Sequence, residues 1–211
     1  CELLALATKE RAAARVVADP RRKRWEVILV THDRPGLLAQ TAGVLASYGI
    51  TPQSALLSVT TAGYSLDSFV THTSNWPLLL DDKLRKGLEA SLLRAARDGI
   101  VPEAKLDEQR RAEALSRRDL KGITPRIVFD SEASERATVV DVFAASSITL
   151  LRDISRTIFE AGASIELARI TREGRKAVDA FYVVDAATRE PLAEERKEEL
   201  KLRLMVTLSE T

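Results

Sequence analysis

Apolar residues along the chain switch between two periods, and the switches mark out its elements. Val27-Ile28-Leu29-Val30 is a continuous apolar run bounded by charged residues, the pattern of a strand buried on both faces. Leu37, Leu38, Thr41, Val44 and Leu45 then fall at i, i+1, i+4, i+7 and i+8, one face of a helix that Gly49 ends. Residues 50–61 are strand-like and Ala62-Gly63 makes a turn. Residues 64–72 return as a strand, with Leu66, Ser68 and Val70 alternating against Asp67 and Phe69. Asn75-Trp76-Pro77 breaks it. Residues 78–98 predict a helix with Asp81 and Asp82 in its first turn and Arg94 and Arg97 late, as the helix dipole prefers.

The pattern restarts in the second half. Residues 138–145 read as a strand, Ser146-Ser147-Ile148-Thr149 as a turn, and 150–161 as a helix with Leu150, Leu151, Ile154 and Ile158 on one face. After Gly162 come a strand over 164–171, a turn at Glu173-Gly174, a strand over 176–184 and a closing helix over 192–204. Moved by 113 residues, Leu37-Leu38 lands on Leu150-Leu151, Gly49 on Gly162 and Ala55 on Ala168; one residue is lost at the hairpin, after which Asp67 meets Asp179 and Phe69 meets Phe181.

The repeat predicts an α+β fold: two ferredoxin-like (βαββαβ) units in tandem, each an antiparallel sheet with two helices on one face. The first unit is expected over 25–130. It includes a charged connector over 99–124 (Lys105, Arg110, Arg111, Arg117, Arg118 and Lys121 against Glu103, Asp107, Glu108, Glu113 and Asp119) and a late fourth strand over 126–130. The second is expected over 136–211, its fourth strand left open: Leu204 to Leu208 reads either as that strand or as the end of the helix. Residues 1–24 read as a linker: an Ala/Leu-rich helix from Leu3 to Val17, then a solvated basic run, Arg21-Arg22-Lys23-Arg24.

The most distinctive turn is Asp33-Arg34-Pro35-Gly36, between the first apolar strand and its helix. Asp33 is expected to cap the helix, Pro35 to preset its first φ, and Gly36 to let a ligand approach the helix N-terminus. Unpaired N–H groups and a partial positive charge there suit a carboxylate, such as that of a small amino acid. The same turn equally reads as a capped helix start without ligand.

Composition narrows the alternatives. The formal charge of +1 gives no bulk reason to expect nucleic acid or a membrane surface. No apolar run has the roughly 18 residues of a membrane span. A single cysteine, Cys1, excludes an internal disulfide and a cysteine zinc site, and makes the cytoplasm the expected compartment. His32 and His72 have no clustered third ligand, so no metal site is expected. No nucleophilic triad or phosphate loop stands out. Asp67 and Asp179 read as strand-edge polar residues. The start at Cys1 reads as a piece of something longer.

These strings carry a resemblance. Thr31-His32-Asp33-Arg34-Pro35-Gly36-Leu37-Leu38, Leu66-Asp67-Ser68-Phe69, Ala177 to Asp185, and above all Pro125-Arg126-Ile127-Val128-Phe129-Asp130-Ser131-Glu132-Ala133-Ser134 resemble the C-terminal tandem ACT domains of the bifunctional PII uridylyltransferase/uridylyl-removing enzyme family. The resemblance implies a regulatory module that binds a small amino acid, glutamine, and controls opposing activities in nitrogen regulation. Partners would be its own catalytic domains or PII protein. The nucleotidyltransferase and His-Asp hydrolase signatures are absent from these residues, so Mg is expected only in such domains and no cofactor here. The units would pair side by side, within the chain or as a homodimer. Backbone N–H groups of Gly36 and Leu37 would take the ligand carboxylate, and Asp33 would order the loop or meet the amino group. Arg34 would point to solvent or a partner unit, and the strand near Ser54 and Ala55 would line the far side. In the second unit the turn is degenerate. Ser146 can cap, but Ile148 replaces the proline and Thr149 the glycine, obstructing close approach. That unit is expected to act as a packing partner. The alternative is a ligand-free scaffold or protein-interaction module.

Overall fold

The computed structural model describes residues 2–116, 123–130 and 132–210. Arg117, Arg118, Asp119 and Lys121 of the connector, together with Cys1 and Ser131, lie outside the described residues. The chain runs α1 (Glu2–Glu10), β1 (Ala12–Asp19), β2 (Arg24–His32), α2 (Leu37–Ser47), β3 (Pro52–Val59), β4 (Tyr64–Thr71), two short 3-10 turns, α3 (Asp82–Asp98) and α4 (Glu103–Ser116). It continues with β5 (Arg126–Asp130), β6 (Thr138–Ala145), α5 (Leu150–Glu160), β7 (Ala163–Glu173), β8 (Lys176–Asp185) and α6 (Glu194–Glu210). All eight strands join one sheet, in the order β1-β2-β4-β3-β7-β8-β6-β5, with every neighbour antiparallel.

Each half of this sheet has the ferredoxin-like order, with its edge strand placed first in the chain instead of last. Two expectations are corrected by this. Residues 126–130 do not close the first unit: β5 pairs with β6, Arg126 opposite Phe143. The first unit's edge is β1, Ala13 opposite Val30, the same pair moved back by 113 residues. The predicted helix over Leu3 to Val17 is therefore a helix only as far as Glu10; Arg11, at φ 70, turns the chain into β1. Ala12-Ala13-Ala14 has helical propensity, but eight paired residues along β2 override it. Arg21, Arg22 and Lys23 form the β1–β2 hairpin turn. Residues 204–208 stay helical within α6, since β5 already supplies the second unit's fourth strand.

The helices α2, α3, α5 and α6 cover one face. Beneath them runs a continuous core in which Val27, Phe69, Val140 and Phe181 are fully buried. The fully apolar run of β2 has a local cause: Leu29 faces the helices, while Val30 packs with Ala7 and Ala13 under α1 on the other face. The two units meet at β3 and β7. Leu56 pairs with Arg169, its own counterpart in the repeat, flanked by Ala55 with Ile170 and Leu57 with Ala168. A local pseudo-twofold axis thus passes through the seam, and the side-by-side pairing occurs within one chain.

The charged connector packs against the fold. Its helix α4 lies against α2 with Leu106 fully buried, and reaches α5 through Glu103 to Arg152 (3.1 Å) and Arg110 to Asp153 (2.8 Å).

Candidate functional site

The strands β2 and β3 run in the same direction on either side of β4, so the turn after β2 sits above the C-terminal end of β3. Ser54 and Ala55, predicted to face the turn, lie too early in β3 and instead pair across the seam with Thr171 and Ile170. Leu57, Ser58 and Val59 take their place. They form a cleft with Asp33, Arg34, Pro35, Gly36 and Leu37, and with Ser155, Phe159, Ser164 and Glu166 of the second unit. The cavity is small, about 30 Å³, and opens to solvent.

The turn is built differently from the expectation. Gly36, at φ 78, is itself the helix cap, and no side chain caps α2. Asp33 instead anchors the turn by donating its backbone N–H to the Gly63 carbonyl (2.8 Å). Its carboxyl is pushed up by burial, with Arg189 opposing and Glu166 adding to the rise. The Leu37 N–H turns back to the Arg34 carbonyl (3.2 Å), so it is not an open donor. Among the described residues the N–H groups of Gly36, Leu38 and Ala39 find no protein partner. These are the donors an anion would meet at this helix end. The Arg34 guanidinium points neither to solvent nor to the other unit. It donates to the carbonyls of Ala95 (2.6 Å) and Ala96 (3.3 Å) at the end of α3, and to Gln40. Arg34 therefore ties the turn to α3.

The residue that sequence reasoning undervalued is Asp67. It lines the cleft floor at 1% exposure, on the core-facing side of β4. One carboxylate oxygen accepts from the Ser65 hydroxyl; the other, Oδ2, is buried without a partner. Burial pushes its pKa up to about 7, the Ser65 hydrogen bond opposes that, and Asp33 adds to it. The signal was in the alternation: Asp67 shares a face with Phe69, which is fully buried.

The second turn differs. The Ser146 N–H donates to the Arg175 carbonyl (2.8 Å), the counterpart of the Asp33 anchor. Ser146 does not cap α5, whose cap position is Thr149, in a right-handed conformation at φ −100 and without a side-chain bond. Ser147 Oγ is buried without a partner, and the Ile148 N–H donates to the Glu113 carboxylate at 3.0 Å. Among the described residues no group of three His, Cys, Asp or Glu side chains could hold a metal, and no helix is long and apolar enough to cross a membrane.

Two ferredoxin-like units sharing one sheet, with a turn-and-helix cleft at their seam, make this chain an ACT-type pair. Comparison with known proteins places it more narrowly. It is 36% identical over 185 residues to the bifunctional uridylyltransferase/uridylyl-removing enzyme of Phenylobacterium zucineum, covering 87% of this chain and 19% of that protein. The enzymes of that name from Rhodospirillum rubrum (28% over 173 residues, 82% of this chain and 18% of the enzyme) and Novosphingobium aromaticivorans (32% over 193 residues, 88% and 20%) match similarly. The chain is thus a homologue of one region of the bifunctional uridylyltransferase/uridylyl-removing enzyme, and spans about a fifth of the length of the curated relatives it matches. No family model matches it. Aspartate kinase from Synechocystis overlays at a TM-score of 0.49 with 13% identity, over 89% of this chain and 27% of the kinase chain, a likeness too distant to carry an argument.

Proposed function

We propose that this chain is an amino-acid-sensing regulatory module whose ligand, glutamine, binds in the seam cleft through its α-carboxylate and α-ammonium groups. The observation that supports this reading is the pairing of opposite needs across one small space. Open N–H groups of Gly36, Leu38 and Ala39 lie on one side, and the unpartnered, buried Oδ2 of Asp67 on the other. A zwitterion satisfies both, and burial strengthens each contact. The wall from the second unit suits an uncharged polar side chain. Ser155 spends its proton on the Leu151 carbonyl (2.7 Å), which leaves its oxygen free to accept from an amide, and Glu166, held by Arg189 at 2.8 Å, offers a second acceptor.

Because both units wall the cleft, a bound ligand fastens one to the other. Its differential affinity for arrangements of the pair is what would be passed to attached catalytic domains, biasing uridylyl transfer to PII protein against uridylyl removal. A thermal-shift panel tests the reading. Glutamine is expected to raise the melting temperature saturably and glutamate to have little effect at the same concentration; a flat response to every amino acid at millimolar levels would leave the scaffold alternative.

A further inference from the structure

The repeat offers an internal control on the cleft. Asp179, the counterpart of Asp67, is equally buried at 1% exposure and also has an unpartnered Oδ2. Its other oxygen, however, receives the Arg172 guanidinium through Nη1, with the Thr171 N–H adding a contact at 3.3 Å. Arg172 is itself buried at 8% exposure and pairs across the hairpin with Ala177, while Asp179 pairs with Ile170. In the first unit the same register sets Val59 opposite Ser65 and Leu57 opposite Asp67. Val59 therefore stands where Arg172 stands, and Ser65, whose hydroxyl meets Asp67, stands where Ala177 stands, so a neutral hydroxyl partners one buried carboxylate and a guanidinium the other.

We propose that the second unit contains the same cationic subsite in a self-occupied form, with the Arg172 guanidinium resting on Asp179 where an ammonium group from outside would rest on Asp67. The contact is single-pronged, since Arg172 Nε is also buried without a partner. Arg172 thus behaves as a tethered occupant, not as a full two-pronged salt bridge. The module then takes one ligand per chain despite its two units. The proposal rests on the sensing reading for what fills the first unit, but not for what fills the second.

Two variants of the whole chain test it. Val59→Arg brings the second unit's guanidinium into the first. It is expected to fold, to melt no lower than the parent, and to show a glutamine affinity reduced about 100-fold or more, as when a buried charge loses its partner to a competitor. Arg172→Val removes the tethered guanidinium from the second unit. It is expected to melt lower than the parent at pH 8 and to be restored by methylguanidinium or ethylammonium at tens of millimolar, which leave the parent unchanged. The double variant Arg172→Val/Asp179→Asn, with no stranded charge, is expected to fold and to ignore both cations. A folded Val59→Arg chain that binds as the parent does would overturn the proposal. So would an Arg172→Val chain indifferent to small cations, or a double variant unable to fold. If no amino acid binds the parent, the sensing reading fails, yet the cation response of Arg172→Val still decides this one.

Discussion

An Asp67→Asn chain is expected to fold, to melt higher than the parent above pH 7, and to lose about 100-fold in affinity for its amino acid, the cost of removing one partner from a buried charge pair. Asp67 is 1% exposed, Ser65 satisfies one oxygen, and Oδ2 has nothing. Its pKa accordingly rises from the ordinary 3.8 to about 7. A raised carboxyl means that the folded chain keeps a proton which the unfolded chain releases near 3.8. Stability therefore falls as pH climbs from that value to about 7, and stays level above it. Asparagine imitates the protonated acid. Its advantage over aspartate should be small at pH 4, widen up to about 7 and then hold, as melting curves across that range would show. Titration at pH 8 reads the affinity; binding as tight as the parent's would remove Asp67 from the site.

Gly36→Asp has an effect of similar size through the opposite end of the ligand. Gly36 sits at φ 78, and a Cβ built there lies 3.4 Å from the Phe159 ring. The left-handed conformation costs a non-glycine residue roughly 1–2 kcal/mol, and the Phe159 ring must give slightly. The decisive change is the new carboxylate at the start of α2. It competes for the N–H groups of Gly36, Leu38 and Ala39 and repels the ligand's own carboxylate. The expected outcome is a folded chain with no ligand-dependent melting shift. Gly36→Ala carries the backbone strain without the charge and is expected to keep part of the shift. Equal shifts in parent and Gly36→Asp would place the carboxylate elsewhere.

Much of the fold was legible because each periodic segment came with its own punctuation. The helix over Leu37–Ser47 and its counterpart over Leu150–Glu160 end as the glycines at 49 and 162 indicate. What misled was the place of the edge strands in the chain, first in each unit instead of last. Ala12-Ala13-Ala14 carries no β-branched residues, so only its pairing with β2 reveals it as a strand. With β1 hidden, residues 126–130 looked like the end of the first unit when they begin the second. The site was half legible. Pro35 and Gly36 announced a helix N-terminus, but which N–H groups stay open depends on a turn hydrogen bond from Leu37 to Arg34. Ser54 and Ala55 were displaced by Leu57 to Val59 because strand direction, not sequence proximity, decides what faces the turn. By its type Asp67 reads as a polar strand residue, and only its neighbours show that it is buried.

In the proposed sensing step, an amino acid's ammonium group replaces the proton on Asp67. Isothermal titration of the chain with glutamine at pH 6 and pH 8.5, each in two buffers of different ionisation enthalpy, measures that exchange. The expected result is one site per chain, release of about one proton per ligand at pH 6, where a carboxyl with a pKa of about 7 is mostly protonated, and almost none at pH 8.5. Saturable binding with no proton release at either pH, or no saturable heat at all, would contradict it.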